Sequence, residues 1–217
     1  MPAKICFFDV DHTLTRRSAG YHFALEAKER GLFKARHFTS IPFTYLSYRF
    51  GRAGLDALDN GFTALKGFSR ELLEEIAVDA FDKRTRLDFF PDALKLVSRL
   101  KDEGNRIILA TAGLDFIVKP LAEYLGVDSY VGSSLEFTKG LSTGYFLGRL
   151  VFGQIKRDAA LEAASRYNQT LSECSFYSDS IHDLPLLLEA GNPIAVNPDR
   201  RLAREARRRN WEILHFR

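Results

Sequence analysis

Lys4-Ile5-Cys6-Phe7-Phe8-Asp9-Val10-Asp11-His12-Thr13-Leu14-Thr15 is an apolar run of strand length that ends abruptly in two carboxylates. A short polar turn follows. In open α/β sheets, ligands bind just outside the carboxyl ends of the strands. Two acids at that point are costly unless a cation or a reaction needs them. A lone Asp there would simply begin a turn. Three further pieces, in a fixed order along the chain, argue for chemistry instead.

Outward from this strand, the chain alternates. Ser18 to about Gly31 has helical spacing, with Tyr21, Phe23, Ala24, Ala27 and Leu32 on one face. An aromatic-rich segment, Phe38 to Phe50, is broken by Pro42, and a helical stretch spans Leu55 to Leu65. Ser69-Arg70-Glu71-Leu72 reads as a cap opening a helix to about Phe81. Residues 16–88 therefore read as an all-helical insertion. Pro91 opens the next helix and Gly104 closes it. Arg106 to Ala110 is a buried strand, with Thr111-Ala112-Gly113 at its carboxyl end and a helix to about Tyr124 beyond. Tyr130 to Ser134 is a short strand, and Glu136 to Leu150 reads as a hairpin around Gly140 and Gly144. Then come a helix over Asp158–Tyr167, a strand over Glu173–Tyr177, a short helix over Leu184–Glu189, a strand over Pro193–Val196, and a terminal basic helix. Strands alternating with helices predict an α/β fold, a Rossmann-like parallel sheet covered on both faces. The expected division is a core of residues 1–15 and 89–217 with a helical-bundle cap of residues 16–88 between its halves.

Composition bounds the class. With 46% hydrophobic and 27% charged residues the chain reads as a soluble globular protein. Its apolar stretches are too short to span a bilayer. No basic region followed by an apolar segment marks a secretory signal. Cys6 and Cys174 both sit in apolar runs and read as buried reduced thiols, which fits a cytoplasmic protein. Arg200, Arg201, Arg204, Arg207, Arg208 and Arg209 crowd the last stretch. They read as the solvated face of a terminal helix rather than a nucleic-acid patch. No nucleic acid and no stable membrane association is expected.

Four strand ends converge in this topology. They bring Asp9 and Asp11, then Thr111 with the amides of Ala112 and Gly113, then Lys156, then Asp179 and Asp183. Carboxylates in one cleft repel, and a divalent cation with a lysine offsets that. Oxygen donors without a His/Cys set point to magnesium rather than zinc. A hydroxyl, free amides and a lysine suit a phosphoryl group. Lys139 is a rival to Lys156 by composition; Lys156 is preferred because it shortly precedes the strand carrying Asp179.

With these motifs in order, the chain resembles the haloacid dehalogenase-like (HAD) phosphatases, most closely the phosphoserine phosphatase-like group with a helical cap. Asp9-Val10-Asp11-His12-Thr13 matches the first motif, Thr111 the second, Lys156 the third, and Ser178-Asp179-Ser180-Ile181-His182-Asp183 the fourth. The resemblance implies the HAD fold and a magnesium-dependent phosphomonoesterase working through an aspartyl-phosphate. It implies that Asp9 is the nucleophile and Asp11 the general acid and base, its carbonyl also binding metal. Asp179 would be a direct metal ligand, and Asp183 would orient a metal-bound water or Lys156. Thr111 would hold a phosphate oxygen and Lys156 would neutralise charge. His182 stands where a substrate contact is expected. Relatives that cleave phosphoserine carry an acid where this chain has Arg16, Arg17 and Ser18, and a cap arginine where Gly61 falls, with Arg49 or Arg52 as substitutes from elsewhere. Both departures disfavour phosphoserine. The aromatics Phe38, Phe43, Tyr45, Tyr48 and Phe50 read as the cap's own core. Phosphotransfer to another acceptor, or non-catalytic phosphate or protein binding, are the alternatives.

Overall fold

A computed structural model describes residues 4–32 and 62–217. Phe38, Phe43, Tyr45, Tyr48, Arg49, Phe50, Arg52 and Gly61 lie outside the described residues, as does most of the helical stretch expected at Leu55–Leu65. Its last residues form a single 3-10 turn, Thr63–Leu65.

The strands are β1 (Ile5–Phe8), β2 (Arg106–Leu114), β3 (Ser129–Ser133), β4 (Leu135–Thr138), β5 (Leu141–Phe146), β6 (Ser175–Ser178), β7 (Asn192–Val196) and β8 (Glu212–Leu214). The helices among the described residues are α1 (Ala19–Glu29), α2 (Arg70–Lys83), α3 (Pro91–Asp102), α4 (Asp115–Leu125), α5 (Gln154–Ser165), α6 (Leu184–Glu189) and α7 (Arg200–Arg209). Six strands form one sheet in the order β3-β2-β1-β6-β7-β8, and every neighbouring pair is parallel.

Both faces are covered, which is why the strands read as continuous apolar runs. Alternate residues of β1 serve opposite layers. Cys6 and Phe8 join the core under α1 to α4, whereas Ile5 and Phe7 join the core under α5 to α7. Strand β2 divides the same way, with Ile107 and Leu109 on one side and Ile108 and Ala110 on the other. Helices α1 and α2 share the first core: Phe23 of α1 meets Phe116 of α4 with ring centroids 5.5 Å apart.

Several boundaries differ from the sequence reading. Strand β2 continues past Thr111 to Leu114, with a register irregularity between Ala110 and Leu114. Helix α5 begins at Gln154, so Lys156 lies in its first turn rather than ahead of it; Gly153, at φ 51°, is its N-cap. Helix α1 exposes Tyr21 and buries His22 and Glu26. Glu26 faces α2, where Lys83 and Arg84 donate to it at 2.7 and 2.6 Å. Paired charge replaced apolar contact on that face. Lys139 occupies the tip of the β4–β5 hairpin with Gly140, both at positive φ (53° and 80°), as a two-residue type I′ turn requires. Among the described residues, the last strand, β8, pairs only with β7.

The two chain passages at the expected cap boundary lie side by side. Phe90 N donates to the Leu14 carbonyl and Arg16 N to the Asp88 carbonyl, each at 2.9 Å. The Asp88 side chain also accepts from Arg17 N at 2.7 Å. Among the described residues, no helix is long and apolar enough to cross a membrane.

Candidate active site

The site lies at the carboxyl ends of β1, β2 and β6, where parallel strands leave their last main-chain groups without a ladder. Asp9 still borrows the ladder, its N–H donating to the Tyr177 carbonyl at 2.9 Å. The chain then turns sharply. Leu14 N and Thr15 N both donate to the Val10 carbonyl, and His12 adopts φ 63°. This turn holds the Asp9 carboxylate over the strand end, only 7% exposed.

Lys156 reaches the same point from the first turn of α5. Its Nζ lies 3.0 Å from Asp9 Oδ1 and 2.8 and 2.9 Å from the two oxygens of Asp183. Ser178, at the end of β6, donates its hydroxyl to Asp183 at 2.7 Å. Thr13 Oγ1 lies 3.4 Å from Asp179 Oδ1, a long contact that links the first and fourth motifs. Thr111 is buried, and its hydroxyl accepts from Gly113 N at 3.0 Å. The Ala112 carbonyl accepts from Ser133 at 3.0 Å. The His182 ring stands 5.2 Å from that of Phe152.

Asp11 points elsewhere. Its carboxylate accepts from the Ser18 hydroxyl at 2.7 Å and from Ala19 N at 2.9 Å, at the start of α1. A carboxylate there is favoured by the helix dipole and satisfies one of the helix's free donors.

The electrostatics leave the pocket short of positive charge. Among the described residues, Asp9 and Asp183 share the Lys156 ammonium, and Asp179 is buried at the start of the loop that carries Asp183. Burial, the largest influence, pushes Asp9 up to about 7; Lys156 opposes this, while Asp183 and Asp11 add to it. Burial pulls Lys156 down, but the charges of Asp183 and Asp9 outweigh it and hold its ammonium above the ordinary lysine value. A further cation would relieve the excess.

The donor chemistry suits magnesium. Asp183 is taken up by Lys156 and Ser178, and the Asp11 carboxylate by α1. Among the described residues, no three acid, His or Cys side chains gather to hold a metal on their own. Asp9, Asp179 and the Asp11 carbonyl would offer the ion oxygen donors alone. Magnesium takes one or two carboxylates and keeps water for the rest, whereas zinc would want His or Cys.

Sequence reasoning passed over four residues that complete the site. Ser18 holds Asp11, Ser178 holds Asp183, and Thr13 faces Asp179. Asp199, between β7 and α7, accepts from Ile181 N at 2.9 Å inside the fourth motif. Ser178 and Thr13 lay within the matched motifs and were the legible ones.

Comparison with known proteins gives the family. The model of the haloacid dehalogenase-like hydrolase family matches residues 6–188. "Phosphoserine phosphatase SerB1" of Mycobacterium tuberculosis is 30% identical over 221 residues, covering 97% of this chain and 70% of that protein. The histidinol-phosphatase of Neisseria meningitidis is 28% identical over 219 residues, covering 98% and 99%. A crystal structure of a Bordetella pertussis protein of unknown function superposes with a TM-score of 0.86 at 25% identity, covering 98% of each chain. The four ordered motifs, the parallel sheet that gathers them and these likenesses together place the chain in the haloacid dehalogenase-like hydrolase family, as a phosphatase of its phosphoserine phosphatase-like group.

Proposed function

We propose that this chain is a magnesium-dependent phosphomonoesterase that hydrolyses a small phosphorylated metabolite through an aspartyl-phosphate on Asp9. The observation that carries the reading is the Asp9 carboxylate, buried at a strand end and held 3.0 Å from Lys156. An oxygen of Asp9 attacks phosphorus, the bond to the ester oxygen breaks, and Asp11 supplies the proton that oxygen takes. Water then attacks the same phosphorus, gives its proton to Asp11, and the bond to Asp9 breaks to release phosphate. Lys156 and the Thr111 hydroxyl hold the phosphoryl oxygens as charge moves between them. Asp183 keeps Lys156 aimed at Asp9. Magnesium, held by Asp9, Asp179 and the Asp11 carbonyl, would supply the charge neutralisation that lets two anions meet.

Residues 16–88 are assigned as the cap that selects the substrate, with residues 1–15 and 89–217 as the core. A phosphoserine phosphatase and a histidinol-phosphatase among the relatives support the substrate class. Arg16, Arg17 and Ser18 offer no carboxylate to a substrate ammonium, which argues against phosphoserine itself. The two cysteines are buried and free, as suits the cytoplasm.

The test is phosphate release from a panel of phosphomonoesters, with and without magnesium, for wild type and Asp9→Asn. Magnesium-dependent release that the substitution abolishes supports the reading. No release from any ester by the folded protein would contradict it and favour a binder or a transferase.

A further inference from the structure

Asp199 lies three residues beyond β7, as the N-cap of α7, and outside every motif assigned above, yet it bonds to the fourth motif twice. Its main-chain N–H donates to the Asp179 carbonyl at 2.8 Å. Its Oδ2 accepts from Ile181 N at 2.9 Å. Its Oδ1 accepts from Arg201 N and Leu202 N at 2.7 and 2.9 Å, capping α7. One carboxylate thus serves three main-chain donors, shared between a helix and the loop that carries Asp179 and Asp183.

We propose that Asp199 is a positioning residue that sets the loop from Asp179 to Asp183 for metal binding, with α7 as its anchor. Neighbouring main-chain donors of the loop bond locally. Ser180 N donates to Ser178 and His182 N to Ser180, both contacts within the loop itself. Helix α7 buries Leu202 and Ala206 against the sheet, so its N-terminus is a rigid reference. A carboxylate tied to that reference carries the rigidity to the residues beside Asp179. Metal ligands depend on such supporting bonds, and their loss commonly weakens metal binding 10–100-fold or so. The inference rests on the proposed magnesium site.

Two substitutions separate the loop bond from the helix cap. Asn and Ser are both good N-caps. Asp199→Asn has one acceptor oxygen, so it keeps the cap but turns an amide toward Ile181 N. Asp199→Ser caps α7 and is too short to reach the loop. Magnesium chloride is titrated calorimetrically into wild type and both variants without substrate, alongside thermal melts and hydrogen exchange at Ile181. Both variants are expected to melt near wild type, to bind magnesium at least ~10-fold more weakly, and to exchange the Ile181 amide faster. At saturating magnesium the kcat should recover more than a general loss of fold would allow. Wild-type affinity and unchanged Ile181 exchange in both variants would overturn the proposal and leave Asp199 as a cap. Absence of magnesium binding by wild type would overturn the proposed metal site itself, and this inference with it.

Discussion

Lys156 Nζ and Asp9 Oδ1 lie 3.0 Å apart although 147 residues separate them in the chain. The lysine also takes both oxygens of Asp183, so one ammonium holds two buried carboxylates from different loops. Breaking a buried pair by removing one partner costs about 3–5 kcal/mol, because the charge left behind has no solvent. Lys156→Met is therefore expected to abolish turnover and to lower the urea midpoint of the metal-free protein. Added magnesium should recover part of that stability. An unchanged midpoint would show that the ammonium does not carry this charge.

The same pocket predicts an unusual pH dependence. Asp9 is raised to about 7 by burial, while the unfolded chain releases that proton near the ordinary value of about 4. Between these values the folded state binds more protons than the unfolded state, so stability falls as pH rises. With a chelator present, Asp9→Asn should melt above wild type near neutral pH, and the gap should close toward about pH 4. A gap that is constant or widens in acid would contradict this.

Glu26 has the opposite sign. Burial pushes its carboxyl up, but hydrogen bonds from Lys83 and Arg84 outweigh burial and hold it below the ordinary glutamate value. Its contribution is therefore present above the unfolded value and lost as pH falls through the folded one. Glu26→Gln is expected to cost about 2 kcal/mol at neutral pH, below the fully buried case because Lys83 reaches solvent. Chemical denaturation should show the loss shrinking below about pH 4.

These cases mark what sequence could and could not reveal. Strand β1 was legible because both its faces are apolar and two acids end it abruptly. The ends of α3 were legible because each residue fits one backbone position: Pro91 opens it, and Gly104 adopts φ 82° just beyond it. The start of α5 was not, since Gly153 caps it without a side chain. Strand β8 has three residues and one neighbour, too short for alternation to show. Glu26 with Arg84 and Arg16 with Asp88 are pairings far apart in the chain, and no periodicity announces them. The charged residues matched to motifs could be named from sequence, whereas the hydroxyls and main-chain donors that aim them needed the fold.

Asp11 is held away from Asp9 by Ser18 and Ala19. Asp11→Asn should fold normally and lose roughly 10²–10⁴ in kcat on an alkyl phosphate, whose leaving oxygen needs a proton. With p-nitrophenyl phosphate the first step needs no such proton. Rapid mixing should then show a burst of nitrophenolate followed by slow turnover, since water still lacks its base. Equal losses on both esters, with no burst, would exclude Asp11 from proton transfer to the leaving group.

The central claim is a phosphoryl group on Asp9, and trapping it is the most direct test. Protein turning over a phosphomonoester with magnesium is quenched in acid, digested, and read by mass spectrometry, with Asp9→Asn beside it. The account predicts one added phosphoryl group on the peptide containing Asp9 in wild type and none in the variant. Turnover with a phosphoryl group on any other residue, or with none trapped even in Asp11→Asn, would contradict it.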